Sequence, residues 1–278
     1  MIKCGDQMKD EYDSNAVGFP AIREFRELWK YRDLLQLIVS NSIKTRYKRS
    51  ALGVIWTLLN PLLNTLVLTV AFSQILRFQI KNYSIYILVG LIFWNFFAQT
   101  TTHAMNTLIW GSSLLKRIYV PRTIFSVSVV GNGLINYFLA LIPLALIMLV
   151  LRHPFTRSLL LIPFAVLLTA MFILGFTLLV STLAVFFVDV VEMFSILLSA
   201  WFYLTPIIYP VSIIPEQFVR IVKLNPLYYF LELYHSIIYR GELPSINTII
   251  VATLISVFTL GIGWWLFAKR ADEFAYRI

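Results

Sequence analysis

Charged residues in this chain fall into short groups separated by long uncharged stretches. Between Arg49 and Arg77 lie 27 residues without a charged side chain, between Lys81 and Lys116 there are 34, and between Arg122 and Arg152 there are 29. The stretches from Arg157 to Asp189, Glu192 to Glu216 and Glu242 to Lys269 hold 31, 23 and 26. A helix that crosses a bilayer needs about 20 predominantly apolar residues. The pattern therefore predicts an all-α membrane protein whose membrane domain covers 50–278. Its six transmembrane helices are expected at about 51–76, 83–110, 123–151, 158–188, 193–214 and 243–268.

The first 20 residues are polar and lack the apolar core of a cleavable signal, so 1–20 reads as a tail. From 21 to 49 the pattern changes to that of an amphipathic interface helix. Ile22, Phe25, Leu28 and Trp29 recur at helical spacing among charges. Asp33 with Gln36 resembles a capping box and marks a second helical piece. That piece ends in the basic run Lys44, Arg46, Lys48 and Arg49, which suits a helix lying on the cytoplasmic membrane surface. Two roles fit the run equally well: a topology anchor at anionic lipid, or a specific contact.

The region 193–242 divides less simply. Pro206, Pro210 and Pro215 punctuate the end of the fifth span, and the 16 residues between Lys223 and Arg240 are interrupted by Glu232. As a helix these 16 residues reach about 24 Å, short of the roughly 30 Å hydrocarbon core. Tyr228, Tyr229, Phe230, Tyr234 and Tyr239 enrich them in interface-seeking aromatics. The expectation is a re-entrant pair of short helices at 215–241, on the outer side between spans 5 and 6, with Asn225-Pro226 starting the second.

Composition agrees: 59% of residues are hydrophobic and 13% charged, against about 25% charged in soluble domains. The formal net charge of +9 could point to nucleic acid, but its distribution points to topology instead. Sixteen of the 23 basic residues fall in the N-terminal arm, the loop 111–122 and the C-terminal tail, and seven fall in the alternate loops. The positive-inside rule then puts both termini in the cytoplasm. The loop at Asp189 and Glu192 contributes no basic residue and is cytoplasmic by parity.

Several chemistries are excluded or disfavoured. Cys4 is the lone cysteine, and His103, His153 and His235 lie far apart, so no metal-ligand spacing is present. No glycine precedes a lysine, so there is no P-loop, and Gly131 and Gly133 are followed by Asn136 where a dinucleotide fingerprint needs its third glycine. No acidic residue sits in mid-span, which disfavours an ion-coupled carrier. No acidic pair is placed to bind a metal–sugar nucleotide, which disfavours a glycosyltransferase. What the first two spans carry is polar and uncharged: Asn60, Asn64, Thr65 and Gln74, then Asn95, Gln99, Thr100, Thr101, Thr102, His103 and Asn106. These residues suit helix–helix hydrogen bonding, and equally a lining for a hydroxyl-rich substrate.

The run Arg46-Tyr47-Lys48-Arg49-Ser50-Ala51-Leu52-Gly53-Val54-Ile55-Trp56, followed by Leu59-Asn60-Pro61-Leu62, resembles the permease subunits of bacterial ABC exporters of polysaccharides. That family serves O-antigen, capsular polysaccharide and teichoic acid. Phe93-Trp94-Asn95-Phe96-Phe97, Lys116-Arg117-Ile118-Tyr119-Val120-Pro121-Arg122 and Leu204-Thr205-Pro206-Ile207-Ile208-Tyr209-Pro210 with Asn225-Pro226-Leu227 agree in order. The likeness covers residues 22 to 270 and departs at Val188-Asp189, where relatives often carry Arg-Asp.

The resemblance implies a transport subunit of the bacterial inner membrane without its own ATPase. Two copies would work with two ABC ATPase subunits, which hold ATP and Mg. Loop 111–122 would be the coupling helix, capped by Ser112 or Ser113, with Leu114, Leu115, Ile118 and Tyr119 as an apolar face beside Lys116, Arg117 and Arg122. Arg46, Lys48 and Arg49 would meet the diphosphate of a lipid-linked polysaccharide, although a plain topology anchor fits them too. Trp56, Asn60 and Asn64 would line the channel, and Pro61 would kink its helix. Tyr203, Tyr209, Tyr228 and Tyr229 would form an outer gate or an interfacial belt. A drug or lipid exporter, and a membrane enzyme of lipid-linked sugar assembly, are the competing readings.

Overall fold

The computed structural model describes residues 20–47, 55–75, 80–110 and 121–274, and every regular element among them is helical. Helices α1 (Pro20–Lys30) and α2 (Arg32–Tyr47) form the N-terminal arm. Helix α3 (Ile55–Thr69) runs on as a π-helical stretch, Val70–Ile75. Then come α4 (Tyr83–Trp110), α5 (Thr123–Val150) and α6 (Ile162–Phe186), the last led in by a 3-10 turn at Arg157–Leu161. Helices α7 (Val190–Leu204), α8 (Glu216–Leu224) and α9 (Pro226–Tyr234) are short, and α9 continues as π-helix over His235–Arg240. Helix α10 (Ile246–Arg270) closes the bundle.

Four of these helices, α4, α5, α6 with its lead-in turn, and α10, are long and apolar enough to cross a membrane. Leu59–Phe72 and Val190–Leu204 are shorter apolar helices. The bounds of the long helices agree with the sequence expectation to within a few residues. The fifth span differs. It was expected at 193–214, yet α7 starts three residues earlier and stops at Leu204. Thr205 is extended (φ −97°, ψ 130°), as the residue before Pro206 must be to avoid the proline ring. The 15 residues of α7 rise about 22 Å, and the chain continues as the turn Thr205–Pro210.

Helix α4 is the most buried of the long helices and lies against α3, α5, α6 and α7. Its aromatics seed the core. Phe97 stacks on Phe172 (5.8 Å between centroids), and Phe172 stacks on Phe230 (4.7 Å). Trp201 of α7 meets Phe97 edge-on at 5.7 Å. Offset and edge-on pairs of this kind add roughly 0.5–1.5 kcal/mol beyond area burial. Helices α6 and α10 cross most closely. A Cβ at Gly263 would overlap the carbonyl of Gly175, and one at Gly175 would overlap the backbone of Thr259 and Leu260. Small residues let two membrane helices approach backbone to backbone. The Ser256 hydroxyl also donates across this crossing to the Leu168 carbonyl at 2.9 Å.

The expected pair of short helices is present as α8 and α9, and the two differ. Phe218, Ile221 and Leu224 of α8 are all exposed, whereas Leu227, Phe230, Leu231, Leu233 and Tyr234 of α9 are buried in the bundle. Asn225 joins them. Its Oδ1 caps the Leu227 N–H (3.1 Å) and accepts from Trp201 Nε1 (2.9 Å), while its Nδ2 donates to Thr205 Oγ1 (2.9 Å). One carboxamide thus starts α9 and ties it to the end of α7.

The arm buries one of its charged residues, while Arg26, Lys30, Arg32 and Asp33 stay exposed. Glu24 is buried and accepts a 2.8 Å bond from Thr123 Oγ1, at the first turn of α5. Ile22, Phe25 and Trp29 on the same helix face outward. An apolar stripe turned away from the protein suits contact with lipid.

Candidate functional site

Elements α2, α3, α4 and α5 enclose a cavity of about 330 Å³ whose wall is rich in carboxamides. Asn60 comes from α3. Asn95, Gln99 and His103 come from α4, spaced four apart and so on one face. Asn132 and Asn136, again four apart, face them from α5. Thr100, Thr107 and Ser42 add hydroxyls, and Phe96 and Tyr137 add ring surface. Trp56 lines the cavity with 56% of its surface exposed, which places it at the mouth. Gly133 lets α5 close on α4, because a Cβ there would strike Thr100 and Phe96. Pro61, inside α3, also lines the cavity.

A second, more open cavity of about 480 Å³ lies along α3, α4 and α7. Asn64, Ser199, Trp94, Phe202 and Tyr203 line it, and Asn95 belongs to both walls. Asn64 Nδ2 donates to Asn60 Oδ1 at 2.7 Å, so the two α3 amides form one exposed ladder. Together the two cavities make a polar, aromatic-flanked cleft in an otherwise apolar bundle. Among the described residues no Asp, Glu, Lys or Arg lines either one. Such a surface can hydrogen-bond hydroxyls and stack rings; it has no charged pair for acid–base work.

The residues singled out from the sequence distribute as follows. Trp56 and Asn60 line the first cavity, and Asn64 and Tyr203 the second. Tyr209 Oη donates to the Tyr203 carbonyl at 2.6 Å, which joins those two. Tyr228 lines a separate cavity of about 270 Å³ with Glu232, His235 and Arg240. Tyr229 meets Tyr228 edge-on at 5.3 Å and packs on the core. Within this chain the four tyrosines form two pairs and no single ring. Arg46 lies in the last turn of α2, and Lys48 and Arg49 fall outside the described residues. So do Ser112, Leu114, Leu115, Lys116, Arg117, Ile118 and Tyr119. Arg122 stands just before the first residue of α5 without a side-chain capping bond, its guanidinium 5.8 Å over the Phe274 ring. Asn132 and Asn136 were not singled out as lining; two amides four apart in an apolar span are the signal that finds them.

Comparison with known proteins matches residues 33–239 to the family described as ABC-2 type transporter. The chain is 33% identical over 260 residues to the O-antigen export system permease protein RfbA of Myxococcus xanthus, covering 92% of this chain and 100% of that protein. It is 31% identical over 247 residues to the protein of the same name from Klebsiella pneumoniae, covering 87% and 94%. To the polysialic acid transport protein KpsM of Escherichia coli it is 23% identical over 256 residues, covering 86% and 93%. The family match spans α2 to α9 with both cavities, and the relative from Myxococcus xanthus aligns with 92% of the chain, so the chain belongs to the ABC-2 type transporter membrane family and is a multi-pass transport permease subunit.

Proposed function

We propose that this chain is the membrane half of an ATP-driven exporter that moves a lipid-linked polysaccharide of O-antigen type across the bacterial cytoplasmic membrane. The observation that carries this reading is the uncharged, carboxamide-rich cleft of α3, α4 and α5, opening onto the aromatic groove of Trp94, Phe202 and Tyr203. A hydroxyl-rich chain needs many hydrogen bonds and ring faces along its path. The names of the relatives agree with that substrate class.

In this reading the chain spans six times with both termini cytoplasmic. Helix α3 with its π extension serves as span 1, α7 with its turn as span 5, and α8–α9 as the outer re-entrant pair. Residues 1–20 are a tail, 21–49 the interface arm and 50–278 the permease domain. Two copies face each other with Trp56, Asn60, Asn64 and Tyr203 toward a shared path, and Tyr209, Tyr228 and Tyr229 near its outer end. Two ABC ATPase subunits supply ATP hydrolysis with Mg. They engage loop 111–122 through Ser112, Leu114, Leu115, Lys116, Arg117, Ile118, Tyr119 and Arg122. Arg46, Lys48 and Arg49 meet the lipid diphosphate from the cytoplasmic leaflet.

The test is co-purification with the partner ATPase and reconstitution with a lipid-linked glycan. The wild-type complex hydrolyses ATP in a glycan-stimulated manner, and Tyr119→Ala loses most of that stimulation. Unchanged association and turnover in Tyr119→Ala would remove the coupling assignment, and an absence of glycan movement by the wild type would remove the exporter reading.

A further inference from the structure

The carboxamide cavity differs in kind from the groove beside it. It is the less open of the two, and elements of a single protomer surround it. Its polar groups form two facing ladders, Asn95, Gln99 and His103 against Asn132 and Asn136. Each carboxamide offers two donors and an acceptor with two lone pairs. Amides on both ladders can therefore donate to and accept from hydroxyls placed between them.

The rest of the wall narrows the ligand. Phe96 and Tyr137 give flat apolar surface, and Trp56 stands at the mouth. A pyranose ring has hydroxyls around its edge and C–H groups on its faces, so carboxamides and aromatic rings together match it. The volume lies at the low end of the roughly 300–1,000 Å³ typical of small-molecule sites, which suits a short piece of glycan. Among the described residues no Lys or Arg lines the wall. A sugar carboxylate entering it would be desolvated without a lysine or arginine to pair with.

We infer that this cavity is a recognition subsite, one per protomer, for an uncharged sugar segment of the exported glycan, and that it selects neutral repeats over carboxylate-bearing ones. The inference rests on the glycan-export reading above and adds to it which sugars are taken and where.

The test uses the complete permease with its ATPase in proteoliposomes. Two lipid-linked glycans of equal length are supplied, one of neutral hexoses and one with a uronic acid in each repeat. The wild-type complex exports the neutral glycan at least about tenfold faster, the scale on which a site with unmet hydrogen-bond or charge partners discriminates. Gln99→Leu combined with Asn132→Leu cuts neutral export by about tenfold or more. Because that pair could fail to fold, occupancy is also read without altering a carboxamide, by maleimide labelling of Thr107→Cys in a Cys4→Ser background. Mannotetraose slows this labelling about twofold or more once half the sites are filled, and tetragalacturonate does not. Equal export of the two glycans, or labelling indifferent to mannotetraose, overturns the subsite. If the wild type moves neither glycan, the exporter reading falls, and the labelling result alone then decides whether the cavity takes sugar.

Discussion

Asn225 shows how much a single side chain can hold in this bundle. Its carboxamide caps α9 and bonds both Trp201 and Thr205 at the end of α7. Replacement by alanine removes an N-cap, worth about 1 kcal/mol, and leaves the Trp201 N–H without its acceptor in a mostly apolar setting, worth about 1–3 kcal/mol more. Asn225→Ala is expected to lower the thermal unfolding midpoint in detergent by several degrees. A midpoint equal to wild type would mean that α7 and α9 are held by packing alone. The sequence exposed part of this, since Asn-Pro is a recognisable helix start. It did not expose the bonds to α7, because the two partners stand 20 and 24 residues away along the chain.

At the scale of elements, the crossing of α6 and α10 makes a sharp contrast between glycines of one helix. Gly263 has the Gly175 carbonyl against it, whereas a Cβ at Gly261 meets nothing within 4 Å. Gly263→Val is expected to force the helices apart and abolish the folded peak in gel filtration. Gly261→Ala is expected to leave that peak intact, with any change in stability within about 1 kcal/mol, the propensity difference between the two residues. Equal behaviour of the two variants would refute the close crossing. The long helices themselves were legible because a charge brackets each apolar window. The end of α7 was less so: three prolines punctuate the end of a span expected to reach 214, and the helix stops ten residues earlier, at Leu204 before Pro206. The α5 half of the cavity escaped notice because Asn132 and Asn136 sit among Gly131, Gly133 and apolar residues. Their common face becomes meaningful only when α4 brings Asn95 and Gln99 opposite.

For the whole molecule, orientation is the property on which everything else turns. The charge distribution predicts that the α5–α6 connection lies outside and the α6–α7 connection inside. Phe155 and Asp189 are exposed in those two connections. In a Cys4→Ser background, Phe155→Cys is expected to react with a membrane-impermeant maleimide in spheroplasts, and Asp189→Cys only after permeabilisation. The reverse pattern would invert the protein and move the basic arm to the wrong leaflet for a cytoplasmic ATPase. The four long apolar helices were readable from the spacing of charges, while the way that the arm sits was not. An amphipathic pattern states which side is apolar; it does not state that the buried member of the polar side would be Glu24.

That burial has a consequence for how the sequence can change. The bond from Thr123 to Glu24 joins the first turn of α5, immediately after the loop 111–122, to the N-terminal arm. Loss of the hydroxyl at 123 strips a buried carboxylate of one of its donors, and loss of the carboxylate at 24 strands the hydroxyl. Neither change is tolerated as easily alone as the two together. Positions 24 and 123, 99 residues apart in sequence, should therefore vary as a pair when many relatives are aligned, and a library randomised at both should return matched polar pairs or matched apolar ones rather than mixtures.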